Sequence, residues 1–196
     1  MIGKITRMFN RHCSPLRIFA GSLFAFVALG TTGFAEDTLV TFGSSSSLAG
    51  KAVLMGPGAS KSEMTETAEA LVVKEPDPWS MNMQIKDVTG VSLESVGQDD
   101  YFTLTIKGRA QGEGQVVRVQ FVATGWQTWA MYEFDISGIS QDEFTTVKAL
   151  TPVKQPFKSQ GTLPFTTVEA LQLFTWGKMP ATWELEFKSI GFEKSK

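Results

Sequence analysis

Apolar residues recur at every second position through most of this chain. In "SMNMQIKDV" (80–88), Met81, Met83 and Ile85 alternate with Asn82, Gln84 and Lys86. Neighbouring side chains on a strand point to opposite faces, so this period buries one face and wets the other, whereas an amphipathic helix needs a period of 3.6. "DTLVTF" (37–42), "ALVVKE" (70–75), "YFTLTIKGRA", "QVVRVQFVA", "GWQTWAMYEFDI", "TTVKAL" (145–150), "TTVEALQLFTW" and "ATWELEFKSIGF" read in the same way, with turn residues between them. About 8–10 strands with no long helix predict an all-β fold, a two-sheet antiparallel β-sandwich or a barrel. "YFTLTIKGRA" and "QVVRVQFVA" flank "QGEG" and are expected to pair as a hairpin, with Phe102, Leu104 and Ile106 matched to Val117, Val119 and Phe121. The segment "KSEMTETAEA" (61–70) fits a helical turn or an irregular loop. "TPVKQPFKSQGTLPF", with three prolines, reads as a long surface loop.

The N-terminus stands apart from this pattern. "MIGKITRMFNRHCSPLR" carries Lys4, Arg7, Arg11 and Arg17 with no acid, the apolar run "IFAGSLFAFVAL" follows, and "GTTGFA" places small residues at Gly33 and Ala35. That is the build of an export signal cleaved after Ala35, leaving residues 36–196 as one domain in the periplasm or outside the cell. The apolar run has 12 residues. A membrane span needs about 20, so no stable membrane insertion is expected after cleavage.

Removing residues 1–35 takes away His12 and Cys13, the only histidine and the only cysteine. The remaining chain then has no Cys or His nucleophile or base, no Ser-His-Asp triad, no disulfide and no thiolate or imidazole zinc ligand. Four of the 18 basic residues leave and none of the 20 acidic ones, so 14 face 20 and the net charge is about −6. That balance disfavours nucleic acid and anionic membranes as partners.

"GWQTWAMYEFDISGIS" resembles the strand and following loop of galactose-binding-like jelly-roll modules. "TTVEALQLFTWGKMPATWELEFKSIGFE" resembles their closing hairpin. Carbohydrate-binding modules of secreted polysaccharide-degrading systems share this plan, and so, more weakly, does the complex I intermediate-associated protein family. The resemblance implies a jelly roll with a carbohydrate ligand or, as the alternative, a protein-interaction or assembly module of the same fold. Family members often hold a structural calcium through acidic residues after the first strand's phenylalanine and in the final strand. Here Gly43 follows Phe42, and Lys188 and Ser189 occupy the closing positions. Calcium takes six to eight oxygen ligands, so no metal and no cofactor are expected.

A sugar presents flat CH faces and a rim of hydroxyls, which aromatic rings beside amides, Arg and carboxylates can meet. Alternation turns Tyr101, Thr103, Thr105, Lys107, Arg118 and Gln120 outward, with Asn82, Gln84 and Lys86 outward on their own strand. In "GWQTWAMYEFDI", steps of two send Ala130, Tyr132, Phe134 and Ile136 one way and Trp129, Met131, Glu133 and Asp135 the other. The resemblance implies instead a bulge near Tyr132 that buries Trp129 and Met131 and exposes Tyr132. Trp126, at the start of the strand after Gly125, is expected to cap the end of the core. Trp79 in "EPDPWS" and Trp176 beside "GKMP" lie next to loops and are candidates for ring stacking. The candidate ligand-binding residues are thus Trp79, Trp176, Tyr101, Tyr132, Arg118, Gln120, Asn82 and Gln84. Catalysis would have to rest on two carboxylates, Glu133 with Asp135 or Glu184 with Glu186, about 7 Å apart along a strand. No catalytic residue is assigned.

Overall fold

The computed structural model describes residues 36–56, 58–75, 81–109, 115–161, 166–176, 179 and 183–196. Among these, β1 (Glu36–Thr41), β2 (Ala52–Leu54), β3 (Glu63–Glu66), β4 (Leu71–Glu75), β5 (Asn82–Ile85) and β6 (Tyr101–Gly108) lie in the first half. The second half holds β7 (Val116–Ala123), β8 (Thr128–Asp135), β9 (Thr145–Lys148), β10 (Lys158–Gln160), β11 (Ala170–Trp176) and β12 (Trp183–Glu193). The strand count exceeds the expected number because β2, β3 and β10 are pieces of three or four residues at sheet margins. The open segment 61–70 contains β3, and the proline-rich stretch expected to be loop contains β10.

The strands form two antiparallel sheets in a β-sandwich. The first runs β3-β4-β12-β6-β9, with β1 also paired to β12, and the second runs β10-β8-β7-β11-β5-β2. The chain passes repeatedly from one sheet to the other, as in a jelly roll. This overturns both expected hairpins. β6 pairs with β12 and β9, while β7 pairs with β11 and β8. β11 and β12 likewise lie in different sheets. Phe102 of β6 does meet Phe121 of β7, but across the core, with ring centroids 4.4 Å apart. Alternation marks which face is buried; a neighbour in the same sheet and a strand facing it across the core satisfy that pattern equally.

The core is filled from both sheets by Leu71, Met83, Ile85, Leu104, Ile106, Val117, Val119, Phe134, Leu171, Leu173, Leu185 and Phe187, among others. β8 keeps strict alternation. Its register with β7 is unbroken from Val116 opposite Asp135 to Ala123 opposite Thr128, so no bulge occurs near Tyr132. Tyr132 is therefore buried, packed edge-on against Phe102 and Phe121 with ring centroids 4.8 and 6.0 Å away. Its hydroxyl donates to the Val153 carbonyl at 2.8 Å, which removes the cost of an unpaired phenol in the core. Trp129 is half-buried on the opposite, outer face. Trp126 does not cap the core either: it is exposed in the 3₁₀ turn Thr124–Trp126, where its φ is 72°.

A bulge does occur, in β12. The register with β6 shifts between Phe187 and Ser189, so Lys188 is the extra residue. The shift changes which positions point inward: Trp183, Leu185 and Phe187 are buried before it, Ile190 and Phe192 after it.

Candidate functional site

The outer face of the second sheet gathers most of the polar and aromatic side chains singled out in the sequence. Because Met83, Ile85, Val117, Val119, Leu171 and Leu173 fill the core, Asn82, Gln84, Arg118, Gln120, Gln172, Phe174 and Trp176 must point the other way. Register then aligns them. Gln84 is opposite Gln172, Gln172 opposite Gln120, and Gln120 opposite Met131. Val53 extends this row on β2 and Lys158 on β10. Strands lie about 4.8 Å apart, so the row crosses about 24 Å from β2 to β10.

One step along the strands lies a second row, Asn82, Phe174, Arg118 and Glu133. The two rows are tied by the Gln172 amide, whose Nε2 donates to Asn82 Oδ1 at 2.8 Å. Arg118 donates from Nε and Nη2 to Glu133 Oε1 at 2.9 and 2.7 Å. Its guanidinium carbon lies 4.3 Å from the Trp176 ring centroid and 4.5 Å from that of Phe157. On the other side of the amide row stands Trp129, whose indole N–H donates to Gln160 Oε1 at 3.1 Å. The face is thus a band of three glutamine side chains with aromatic rings on both flanks. Its central charges, Arg118 and Glu133, neutralise each other.

Of the candidates read from the sequence, Asn82, Gln84, Arg118, Gln120 and Trp176 are brought together here. Tyr101 is not: with Thr103, Thr105 and Lys107 it lies on β6 of the first sheet, and Lys148 Nζ sits 4.2 Å from its ring centroid. The single patch inferred from alternation is therefore two patches on opposite outer faces of the sandwich, because β6 and β7 belong to different sheets. Tyr132 is in the core. Trp79 lies outside the described residues. Sequence reading missed Gln172, Phe174 and Phe157 as members of the face. The first two were within reach, since "ALQLFTW" alternates and turns Gln172, Phe174 and Trp176 the same way; Phe157 arrives from the loop before β10 and carries no periodic signal.

The carboxylates of this face are poorly suited to proton transfer. Glu133 is engaged by Arg118, and Asp135 accepts both the hydroxyl and the backbone N–H of Ser137, which hold its carboxyl below the ordinary range. A general acid needs the opposite shift. Glu184 and Glu186, on the outer face of the first sheet, are paired with Lys74 at 3.0 Å and Lys107 at 3.2 Å.

No protein-family model matches the chain. No curated protein matches it. Among solved structures, the chain is similar to an agarase at 11% identity and a TM-score of 0.46, over 82% of this chain and 25% of the agarase. It is also similar to the second N-terminal cellulose-binding domain of a β-1,4-glucanase C from Cellulomonas fimi, at 18% identity and a TM-score of 0.45, over 83% of this chain and 97% of that domain. A third similarity is to a family 30 carbohydrate-binding module of a Clostridium thermocellum cellulosomal cellulase, at 13% identity and a TM-score of 0.41, over 82% of this chain and 94% of that one. This chain spans about a quarter of the length of the agarase.

Proposed function

We propose that this chain is an exported, non-catalytic carbohydrate-binding module that takes a poly- or oligosaccharide on the outer face of its second sheet. The observation that carries the reading is the row Gln84, Gln172 and Gln120, in which Gln172 is half-buried and its two neighbours are 7% exposed, lying between Trp129 on one side and Phe174 and the exposed Trp176 on the other. A carboxamide offers both donors and acceptors, so a row of them can meet hydroxyls in either role. Rings on the flanks offer apolar surface to the CH faces of the sugar. With Arg118 and Glu133 paired, the centre of the face carries no unmatched charge, which suits an uncharged, hydroxyl-rich ligand. Trp176 is the most exposed large apolar side chain among the described residues, at 59%, and is the first choice for stacking.

The test is titration of the purified protein with a panel of soluble polysaccharides, followed by tryptophan fluorescence and calorimetry. At least one polysaccharide is expected to bind saturably. Trp176→Ala and Gln172→Ala are each expected to weaken that binding about tenfold with the fold intact. Silence across a broad panel by a folded protein would defeat the proposal and turn the assignment to a protein-interaction module of the same fold.

A further inference from the structure

Arg118 lies on β7, between β11 and β8. Aromatic rings reach it from both neighbours. Trp176 and Phe174 come from β11, their centroids 4.3 and 6.0 Å from the guanidinium carbon. Phe157 comes from the chain beside β8, where its N–H donates to the Met131 carbonyl at 2.8 Å, and its centroid is 4.5 Å from the same carbon. The ion pair beneath is shielded, with side-chain exposures of 11% for Arg118 and 18% for Glu133. The rings are not: Trp176 is 59% exposed and Phe157 41%.

Such exposed rings, one at the end of a strand and one in a loop, would ordinarily sample several rotamers, and a ligand would have to order them on binding. A flat guanidinium against a ring restrains it by cation–π attraction and stacking. The guanidinium plane is in turn held by Nε and Nη2, which both donate to the single oxygen Glu133 Oε1. We infer that Arg118 and Glu133 are positioning residues, whose pairing holds Trp176 and Phe157 as a preformed aromatic platform for the ligand. The affinity part of this inference rests on the carbohydrate reading of the face; the ring-ordering part does not. The planarity of Arg118 is what matters, so a lysine, with the same charge on a compact ammonium, does not replace it.

The experiment uses Arg118→Lys and Glu133→Gln in the full chain, measured against wild type. Acrylamide quenching of Trp176 is isolated by subtracting the same variant carrying Trp176→Phe. Affinity is measured for whichever polysaccharide the wild type binds. Restrained rings predict that each variant raises the Trp176 quenching constant about twofold and weakens binding about tenfold. An ion pair that merely joins β7 to β8 would leave Trp176 quenching unchanged in folded Arg118→Lys, and that result overturns the inference. Weakened binding with unchanged quenching also overturns it, since Arg118 would then be touching the ligand itself. Raised quenching with unchanged affinity does the same for the platform role. If the wild type binds no polysaccharide yet quenching rises in the variants, the ring positioning stands and the carbohydrate reading falls. Should Arg118→Lys fail to fold, Glu133→Gln, which keeps the side chain's shape, carries the same comparison.

Discussion

At the level of single residues, the phenol of Tyr132 couples core packing to pH. Its ring is 3% exposed and its hydroxyl is satisfied by the Val153 carbonyl. Tyr132→Phe keeps the ring and loses the bond, at a cost of about 1 kcal/mol, read as a fall in Tm of about 2–4 °C. Burial also holds the phenol's proton well above its ordinary value of 10.0. The unfolded chain releases that proton first, so this contribution to stability is intact below pH 10.0 and is lost as pH climbs above it. Tyrosinate absorbance is expected to show one of the two tyrosines ionising only as the protein unfolds; a Tyr132 that titrates freely in the native state would refute this. Tyr132 and Trp129 also mark where the resemblance misled, since strict alternation alone sends Tyr132 inward and Trp129 outward, as found. Both rings are part apolar and part polar, so either face accepts them and a bulge that exchanges the two offends no local rule. Asn82, Gln84, Arg118 and Gln120 were legible because polar side chains between apolar ones have only the outer face available.

At the level of elements, β12 carries the first sheet, pairing with β4, β1 and β6 along its 11 residues. Its contact with the end of β6 depends on Gly108. There φ is 140°, and a Cβ would lie 2.0 Å from the Glu184 carbonyl oxygen, an atom already engaged by the Arg109 N–H at 2.9 Å. No rotamer relieves a clash with backbone. Gly108→Ala is therefore expected to cost about 3 kcal/mol or more and to lower the urea midpoint by about 1 M or more. A midpoint within error of wild type would show that β6 and β12 can separate here without loss. The long strands, unlike β2, β3 and β10, whose three or four residues are too few to show a period, were legible in the alternation of their segments. Hairpin partners were not, since the long apolar faces of β6 and β7 match equally well side by side or across the core. The bulge near Tyr132 came from the resemblance and does not occur, whereas adjacent Lys188 and Ser189 accommodate one in β12.

At the level of the whole molecule, β1 pairs with β12, and apart from β3 with β4 and β7 with β8 the neighbours in each sheet are distant in sequence. Closing such loops costs entropy before any contact rewards it, so refolding from denaturant is expected to take about milliseconds to seconds by stopped-flow fluorescence. Microsecond refolding would mean that the two local pairs, β3 with β4 and β7 with β8, guide the process. Alternation by itself determined that the chain is all-β, which side chains are buried and which polar ones face outward, because a strand's side-chain period is a local property of the backbone. Only the tertiary structure decided which outward residues share a surface. Pairing is made by backbone groups common to every residue and leaves no mark in the sequence, so it took the assembled sheets to bring Gln172 between Gln84 and Gln120 and to send Tyr101 to the opposite face.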